Sequence, residues 1–506
     1  MAHFYKGMDI STLPECLDQG DVFYDRNGQQ KELMQLLRDN GVNSIRLRIW
    51  NQPENVPESQ GHCGYEETLR TARLAKQYGM HLVLDYHYSD YWADPGQQNK
   101  PAAWRDYDMD RLVDAVHDYT YETLRKMEAE GCLPDMVQVG NEIRSGLLFP
   151  EGAVPHYDNI ARLLNAGIRA CREVSPEITV LIHLDQGGRF YYLKEWFDAV
   201  FAAGLAPIDA IGISFYSFWH GTFMDLRDSM KQLIASYHLP VYVVETAHPW
   251  RILESGHVHA DQMKTAGLPA GCEEQKRSLA LIMQIASTVS GDRDTGVYYW
   301  EPMLAPSHNH GSWAENMTML DEKGQVLPAI ETYRDYVPGQ ELIPNLDAYI
   351  EDLYRVDEDL LPPAGTNLVE NGDFADGTNG FWTIRKPQDA ILENASEGEV
   401  YVSSKENFTY QIFRDVYIEK AGKYQLSVLY RGTNTTGVHV KLFLKVIRCN
   451  GEDYHEKEIF PSDVTYVRHE LEPLNLPVGT VQLGIRIDAP PVFGRIKDLR
   501  LVEVEE

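Results

Sequence analysis

The sequence predicts an α/β fold, a (β/α)8 TIM barrel, followed by an antiparallel β-sandwich of jelly-roll type. Three observations carry this. The first 335 residues alternate short β-rich runs with amphipathic helical stretches, strand then helix, eight times. The stretch PGQELIPNLDAYIEDLYRVDEDLLPPAG then interrupts the alternation as an acidic, Pro-flanked connector. From Asn367 onward, period-two alternation dominates, in runs such as GKYQLSVLYRG, VHVKLFLKVI and TVQLGIRID, with Gly or Pro turns between them. The expected domains are therefore a barrel over 1–337, a connector over 338–366 and a sandwich over 367–506.

Taken in order, the expected barrel strands are His3–Asp9, Ser44–Trp50, His81–His87, Met136–Gly140, Thr179–His183, Ala210–Tyr216, Val241–Glu245 and Gly296–Trp300. Helical periodicity falls between them, at Lys31–Asn40, Glu66–Tyr78, Asp110–Glu130 and His156–Val174 among others. A doubly wound open sheet fits less well, because no GxGxxG or P-loop follows the first strand.

The chain has 506 residues, 43% of them apolar, and a formal net charge of -30, which excludes several classes of partner. Such a surface has no cations to exchange for phosphate counterions, so nucleic acid is not expected. Anionic membranes are disfavoured too, and no apolar run is long enough for membrane insertion. A neutral polymer fits better, and an aromatic content of 11% suits a sugar cleft. The six cysteines are scattered and form no CxxC pair, which suggests neither a zinc site nor a redox motif. The N-terminal MAHFYKGMDIS carries no basic segment followed by an apolar one. As written, the chain reads as cytoplasmic, and as secreted if a leader has been removed.

Chemistry-bearing residues collect at the C-terminal ends of the expected strands, where barrel enzymes place their active sites. Strand two ends in RLRIWN, with Arg46 and Arg48 on one face. Strand three runs into LDYHYSDYWADP, with Asp85 and His87 on one face. Strands four, six, seven and eight end in VGNE, SFYSFW, VVETAHPW and YYWEP. Two carboxylates stand out, Glu142 after Asn141 and Glu245 at the end of PVYVVE. Glycoside cleavage needs one group to protonate the leaving oxygen and one to attack or stabilise the anomeric carbon. Carboxyl groups about 5–5.5 Å apart give retention, and a wider gap gives inversion. A strand-end Glu is more often a salt-bridge partner or a cap, but a pair of them on facing strands favours catalysis.

The stretches GMDISTLPE, GVNSIRLRIWN, LDYHYSDYWADPGQQNKPAAW, VQVGNE, VVETAHPW and GVYYWEP closely resemble the arabinogalactan endo-β-1,4-galactanases, glycoside hydrolase family 53, across nearly all of residues 4–336. The resemblance implies a retaining, cofactor-independent, endo-acting enzyme for β-1,4-galactan or galacto-oligosaccharides, with Glu142 as acid/base and Glu245 as nucleophile. It implies that Asn141 holds the sugar hydroxyl beside the anomeric carbon. Arg46, with Arg48 as alternate, orients the nucleophile, and Tyr216 donates to it. By the same resemblance Asp85 and His87 line the cleft and Trp300 forms its floor. Trp92, Trp104 and Trp250 are candidate outer platforms. The family often carries a calcium loop after strand seven. Here RILESGHVHADQMKTAGLPAG offers His257, His259 and Asp261 but no oxygen cage, so no calcium is expected there.

The opening of the C-terminal domain, NLVENGDFADGTNGFW, resembles jelly-roll carbohydrate-binding modules. Trp382, Tyr401, Tyr410 and Tyr466 are its candidates for stacking on sugar or for sandwich core. Such modules hold a structural calcium, for which Glu370, Asp373 and Asp498 are candidates. Two readings compete with a galactanase. One is another retaining polysaccharidase of the same clan, a mannanase or cellulase. The other is a glycan-binding protein with an inactive barrel.

Overall fold

The computed structural model describes residues 2–253, 258, 260, 262–304, 316–355, 364–378, 382–386, 391–395, 398–404, 408–432, 439–460, 465–489 and 492–505. The chain divides into two compact units, Met1–Tyr354 and Arg355–Glu506.

In the first unit eight parallel strands close into a barrel: β1 Phe4–Asp9, β2 Ser44–Ile49, β3 His81–Tyr86, β4 Met136–Val139, β5 Thr179–Leu184, β6 Ala210–Ser214, β7 Val241–Thr246 and β8 Thr295–Tyr299. The order around the barrel is β1-β8-β7-β6-β5-β4-β3-β2. The principal helices outside it are α1 Leu33–Asp39, α2 Tyr65–Gln77, α3 Met109–Ala129, α4 Tyr157–Val174, α5 Phe190–Ala202, α6 Phe223–Tyr237, α7 Cys272–Ser290 and the short α8 Glu331–Asp335. Two are fixed by caps readable in the sequence. The Asp108 side chain accepts the Arg111 N–H at the start of α3, and Thr222 with Asp225 forms a capping box on α6.

Alternation along each strand sorts inside from outside. In β2, Ile45, Leu47 and Ile49 are buried on the alternate face, while Ser44, Arg46 and Arg48 point inward, and Ser44 Oγ meets Tyr298 Oη at 2.8 Å. The lower barrel interior is filled by Val83, Met136, Leu181, Ala210, Tyr242, Val244 and Tyr298. Gly7 is required there, since a Cβ at that position would lie 2.1 Å from the Tyr298 ring. Above this plug the inward residues turn polar.

Residues beyond α8 continue on the barrel as far as Tyr354. Helix α9, Leu346–Leu353, buries Ile350. The Gln284 side chain donates to Ile343 O at 2.8 Å and accepts the Ile343 N–H at 2.8 Å. Tyr354 Oη accepts the N–H of Phe223 at 3.0 Å. The first half of the stretch read as a connector is thus barrel structure.

The second unit is a two-sheet sandwich whose main strands are antiparallel. Its strands are β9 Thr383–Arg385, β10 Ile391–Ala395, β11 Glu399–Ser404, β12 Phe408–Ile418, β13 Gly422–Gly432, β14 His439–Arg448, β15 Gly451–Ile459, β16 Val467–Glu470, β17 Leu474–Leu476, β18 Gly479–Ala489 and β19 Val492–Glu503. One sheet runs β9-β12-β18-β14-β15 and the other β10-β11-β19-β13-β16, with β17 also on β13. Alternate residues of both sheets, such as Ile412, Leu426, Val428, Leu442, Ile485 and Leu501, make one core. Trp382 and Tyr410 belong to it, and Trp382 stacks on Phe374. Tyr401 and Tyr466 stay partly exposed. The Arg495 guanidinium lies over the Tyr401 ring, that of Arg431 over Tyr466, and both Tyr466 Oη and Arg495 bond to Glu399. Asp498 accepts from Arg500 at 2.7 Å and pairs with Arg468. Glu370 faces Arg414 at 3.6 Å, and Asp373 accepts the Ala375 N–H at 3.2 Å. Among the described residues, no three His, Cys, Asp or Glu side chains gather as a metal site. His257, His259 and Asp261 lie outside the described residues. No described helix is long and apolar enough to cross a membrane, and all six cysteines are free thiols.

Candidate active site

The C-terminal mouth of the barrel holds a connected set of buried polar groups centred on Arg46. Its guanidinium bonds Asp9 at 2.8 Å, Asp85 at 2.9 Å, Glu245 at 2.9 Å and Asn141 Oδ1 at 3.0 Å, and also reaches Gln138 Oε1. Burial alone would drive its proton off. The fields of Asp85, Glu245 and Asp9 outweigh that and hold Arg46 charged. A planar five-donor fork can serve this many acceptors, which an ammonium cannot.

Glu245 reaches this fork through a backbone irregularity. Tyr242 and Val244 point into the barrel, so strict alternation would turn Glu245 outward. Pairing shifts register by one residue on β7, between Val243 and Thr246 against β8, and again opposite Ser214 of β6. This bulge re-aims Glu245 inward. Its Oε1 takes the bond from Arg46, and its Oε2 accepts from Tyr216 Oη at 3.2 Å. Burial pushes the Glu245 carboxyl up to about 7, against the downward pull of Arg46.

Glu142 arrives by a different device. Gly140, at φ 89°, bends the chain out of β4, and Glu142 itself sits in the left-handed region at φ 47°. Among the described residues no cation bonds its carboxyl. Instead Ser214 Oγ donates to Glu142 Oε1 at 2.5 Å. Burial, then the charges of Glu245 and Asp185, hold the Glu142 carboxyl well above the ordinary carboxylate range. Ser214 Oγ also lies 3.5 Å from Glu245 Oε2. The two carboxyls therefore face each other across the Ser214 hydroxyl, with one oxygen of each no more than about 6 Å apart.

The remaining expected residues divide between surface and support. Asn141 is fixed by donating to Ala93 O at 2.9 Å and by accepting from Arg46. Asp85 and His87 share one face, as their spacing implies, but both are buried. Asp85 bonds Arg46 and Gln138, and His87 Nε2 lies 3.2 Å from it. His87 Nδ1 accepts from Trp50 Nε1 and the Ala93 N–H, which makes Nε2 the donor to Asp85. They belong to the buried network around Arg46 and do not line an open cleft. Trp92 and Trp300 are partly exposed with ring centroids 5.7 Å apart, and Arg48 stacks over Trp92 at 4.3 Å. Trp250 stands under the Arg251 guanidinium at 4.2 Å. Trp104 lines a different cavity, of about 460 Å³, with Asn51, Tyr107 and Tyr119.

Sequence reading missed five members of the set: Asp9, Gln138, His183, Ser214 and Glu301. Glu301 follows Trp300 with φ 45°, is buried, and bonds Arg48 and Thr12. Burial pushes its carboxyl up to about 7, against the pull of Arg48. The strand-end rule that selected Glu142 and Glu245 applies equally to YYWEP and would have found it. Ser214 opens SFYSFW and was passed over for its aromatic neighbours.

The sequence of residues 5–333 matches the model of glycosyl hydrolase family 53. The chain belongs to that family. A Niallia circulans relative, known as a protein of the bgaB 5' region, is 40% identical over 349 residues, 65% of this chain and 93% of its own. The probable arabinogalactan endo-β-1,4-galactanase A of Aspergillus terreus is 37% identical over 325 residues, 63% of this chain and 90% of its own. Among solved structures, the family 53 catalytic domain of Ignisphaera aggregans superposes with a TM-score of 0.61 at 34% identity, covering 65% of this chain and 95% of that one. All three likenesses cover about the share of the chain that the family 53 barrel occupies.

Proposed function

We propose that this family 53 chain is a retaining endo-β-1,4-galactanase in which Glu142 is the acid/base and Glu245 the nucleophile. The observation that supports the assignment is the asymmetry across Ser214. One carboxyl touches a buried arginine and a tyrosine hydroxyl, and the other touches a serine hydroxyl and, among the described residues, no cation. Of two interacting carboxyls, the one beside Arg46 keeps its charge and the other keeps the proton.

In the first step a Glu245 carboxylate oxygen bonds the anomeric carbon. The glycosidic C–O bond breaks, and the Glu142 proton goes to the leaving oxygen. In the second step Glu142, now a carboxylate, takes a proton from water as that water bonds the anomeric carbon and the ester to Glu245 breaks. Each step balances without a cofactor. Asn141, held by Ala93 O and Arg46, is placed to bond the neighbouring sugar hydroxyl, and Trp300 with Trp92 supplies the apolar floor. The substrate follows from the family and from relatives named as arabinogalactan endo-β-1,4-galactanases.

We read the sandwich as a glycan-binding domain, with Tyr401 and Tyr466 as its sugar platforms, since Trp382 and Tyr410 are consumed by the core. The experiment that tests the function is hydrolysis of β-1,4-galactan, cellulose, xylan and mannan by the full chain and by Glu142→Ala and Glu245→Ala. Galactan should be cut internally and the others little. Azide should restore Glu142→Ala with a β-galactosyl azide and Glu245→Ala with the α-anomer. Comparable rates on mannan, or full activity in either variant, would overturn the reading.

A further inference from the structure

Glu142 is joined to itself through two side chains that no step of the mechanism uses. Its backbone N–H points at His183 Nδ1, 3.4 Å away. His183 Nε2 lies 2.8 Å from Ser214 Oγ, and Ser214 Oγ lies 2.5 Å from Glu142 Oε1. His183 and Ser214 are both fully buried, on β5 and β6. Asn141 Oδ1 lies 2.9 Å from Nδ1 but already accepts from Arg46 at 3.0 Å, so the direction of the chain is read from the backbone N–H, which cannot rotate. It needs a lone pair on Nδ1, which puts the imidazole proton on Nε2. That proton satisfies a Ser214 lone pair, and the hydroxyl hydrogen is then directed onto Glu142. Gln138 Nε2 also lies 3.0 Å from Nδ1.

We propose that His183 and Ser214 close a one-way hydrogen-bond ring on Glu142, which occupies Oε1 as an acceptor and reserves Oε2 for the proton delivered to the leaving oxygen. Ser214 and His183 are positioning residues, acting through Glu142 rather than on the sugar. The ring works only with a neutral imidazole. Burial, reinforced by Arg46, His87 and His220, keeps His183 uncharged. Other groups acting on Glu142 are Glu245 on β7, Asp185 after β5, Asp94 in the loop after β3, Tyr216 after β6, and Arg144, which pairs with Asp185. Against the upward push of burial and the three carboxylates, the Ser214 hydroxyl is the bonded group that favours the ionised form, which Glu142 must adopt in the second step.

The proposal rests on Glu142 being the acid/base, and two measurements on the full chain test it separately from that assignment. In Ser214→Ala the ionised form of Glu142 loses its donor. The alkaline limb of kcat/KM should then move up by about one pH unit, whereas a merely structural loss would scale the rate at every pH. A stationary limb in a variant that melts like the parent overturns the ring. Nitrogen NMR of histidine-labelled protein, with His183 assigned through His183→Gln, should show a neutral ring protonated at Nε2. This readout needs no variant of Ser214 to fold. A proton on Nδ1, turned toward Asn141 Oδ1 at 2.9 Å, overturns the ring. If instead Glu142→Ala stays active without azide, the assignment of Glu142 fails whatever the imidazole shows.

Discussion

Arg46 is the residue on which the site's charges balance, and its loss has two readable consequences. Replacing it by Lys keeps the charge but cannot span Asp9, Asp85, Glu245 and Asn141 at once. Breaking one side of a buried ion network costs about 3–5 kcal/mol, so Arg46→Lys should melt earlier than the parent, a part of that cost being recovered by the ammonium. Because Arg46 lowers the Glu245 pKa, weakening it raises that pKa. The acid limb of kcat/KM should therefore shift to higher pH, with activity lost first on the acid side. A pH–rate profile superimposable on the parent's would contradict this role. Glu301 provides the control. It is as buried as Glu245 but pairs with Arg48 rather than Arg46, so Glu301→Gln should not be rescued by azide with inverted product.

At the scale of the element, the sequence pattern and the geometry part company in one instructive place. Period two in SIRLRI and HLVLDY correctly puts Arg46 and Asp85 inside, because β2 and β3 pair with each other in an unbroken register. The same rule fails on β7, where VYVVE would turn Glu245 outward. Only the register shift against β8 and β6 restores it, and a bulge depends on partner strands that local alternation does not reveal. His183 and Ser214 were missed for a related reason. Each looks like an ordinary inward residue of an apolar strand until three strands bring them to Glu142. Lower in the barrel, Gly7 is fixed by a side chain nearly 300 residues away. Its replacement by Ala places a methyl 2.1 Å from the Tyr298 ring, and overpacking of that kind costs about 1–3 kcal/mol. Thermal melts of Gly7→Ala should show a clear drop, and an unchanged melt would mean the plug is looser than its packing implies.

For the whole molecule, the composition shift near residue 338 marked a change of domain, but the barrel's last packed elements lie beyond it. Ile343, Ile350 and Tyr354 are buried, and their apolar signal is diluted by the acidic residues around them. A chain ending after Arg355 should fold and keep its rate on short galacto-oligosaccharides. One ending at Val337 exposes the surface under α9 and should be less stable by calorimetry. If the sandwich binds glycan, the shorter protein should weaken on insoluble galactan alone, since a tethered binder raises local substrate concentration. The barrel also carries a pH sensitivity of its own. Burial lowers His220 and His248 to about 4, and burial lowers His81 to about 4 despite Asp135. Their unfolded pKa is about 6.5, so between these values the unfolded chain binds protons the folded one refuses. The contribution of each of these histidines to stability is then full above about 6.5 and falls as pH drops toward 4, by up to about 1.4 kcal/mol per pH unit. The raised carboxyls of Glu142, Glu245 and Glu301 act in the opposite sense over the same window, so the histidine contribution is read as the stability of the parent minus that of His248→Gln, which should fall as pH drops from about 6.5 toward 4; a difference independent of pH would contradict the buried neutral assignment.

The central claim is that Glu245, turned inward by the β7 bulge and held by Arg46, attacks the sugar. A 2-deoxy-2-fluoro galactobiosyl fluoride slows the second step and traps the covalent intermediate. Peptide mapping of the trapped protein by mass spectrometry should place one sugar adduct on the segment containing Glu245. An adduct on Glu142 or Glu301, or turnover to the α-anomeric product with no adduct, would contradict the account.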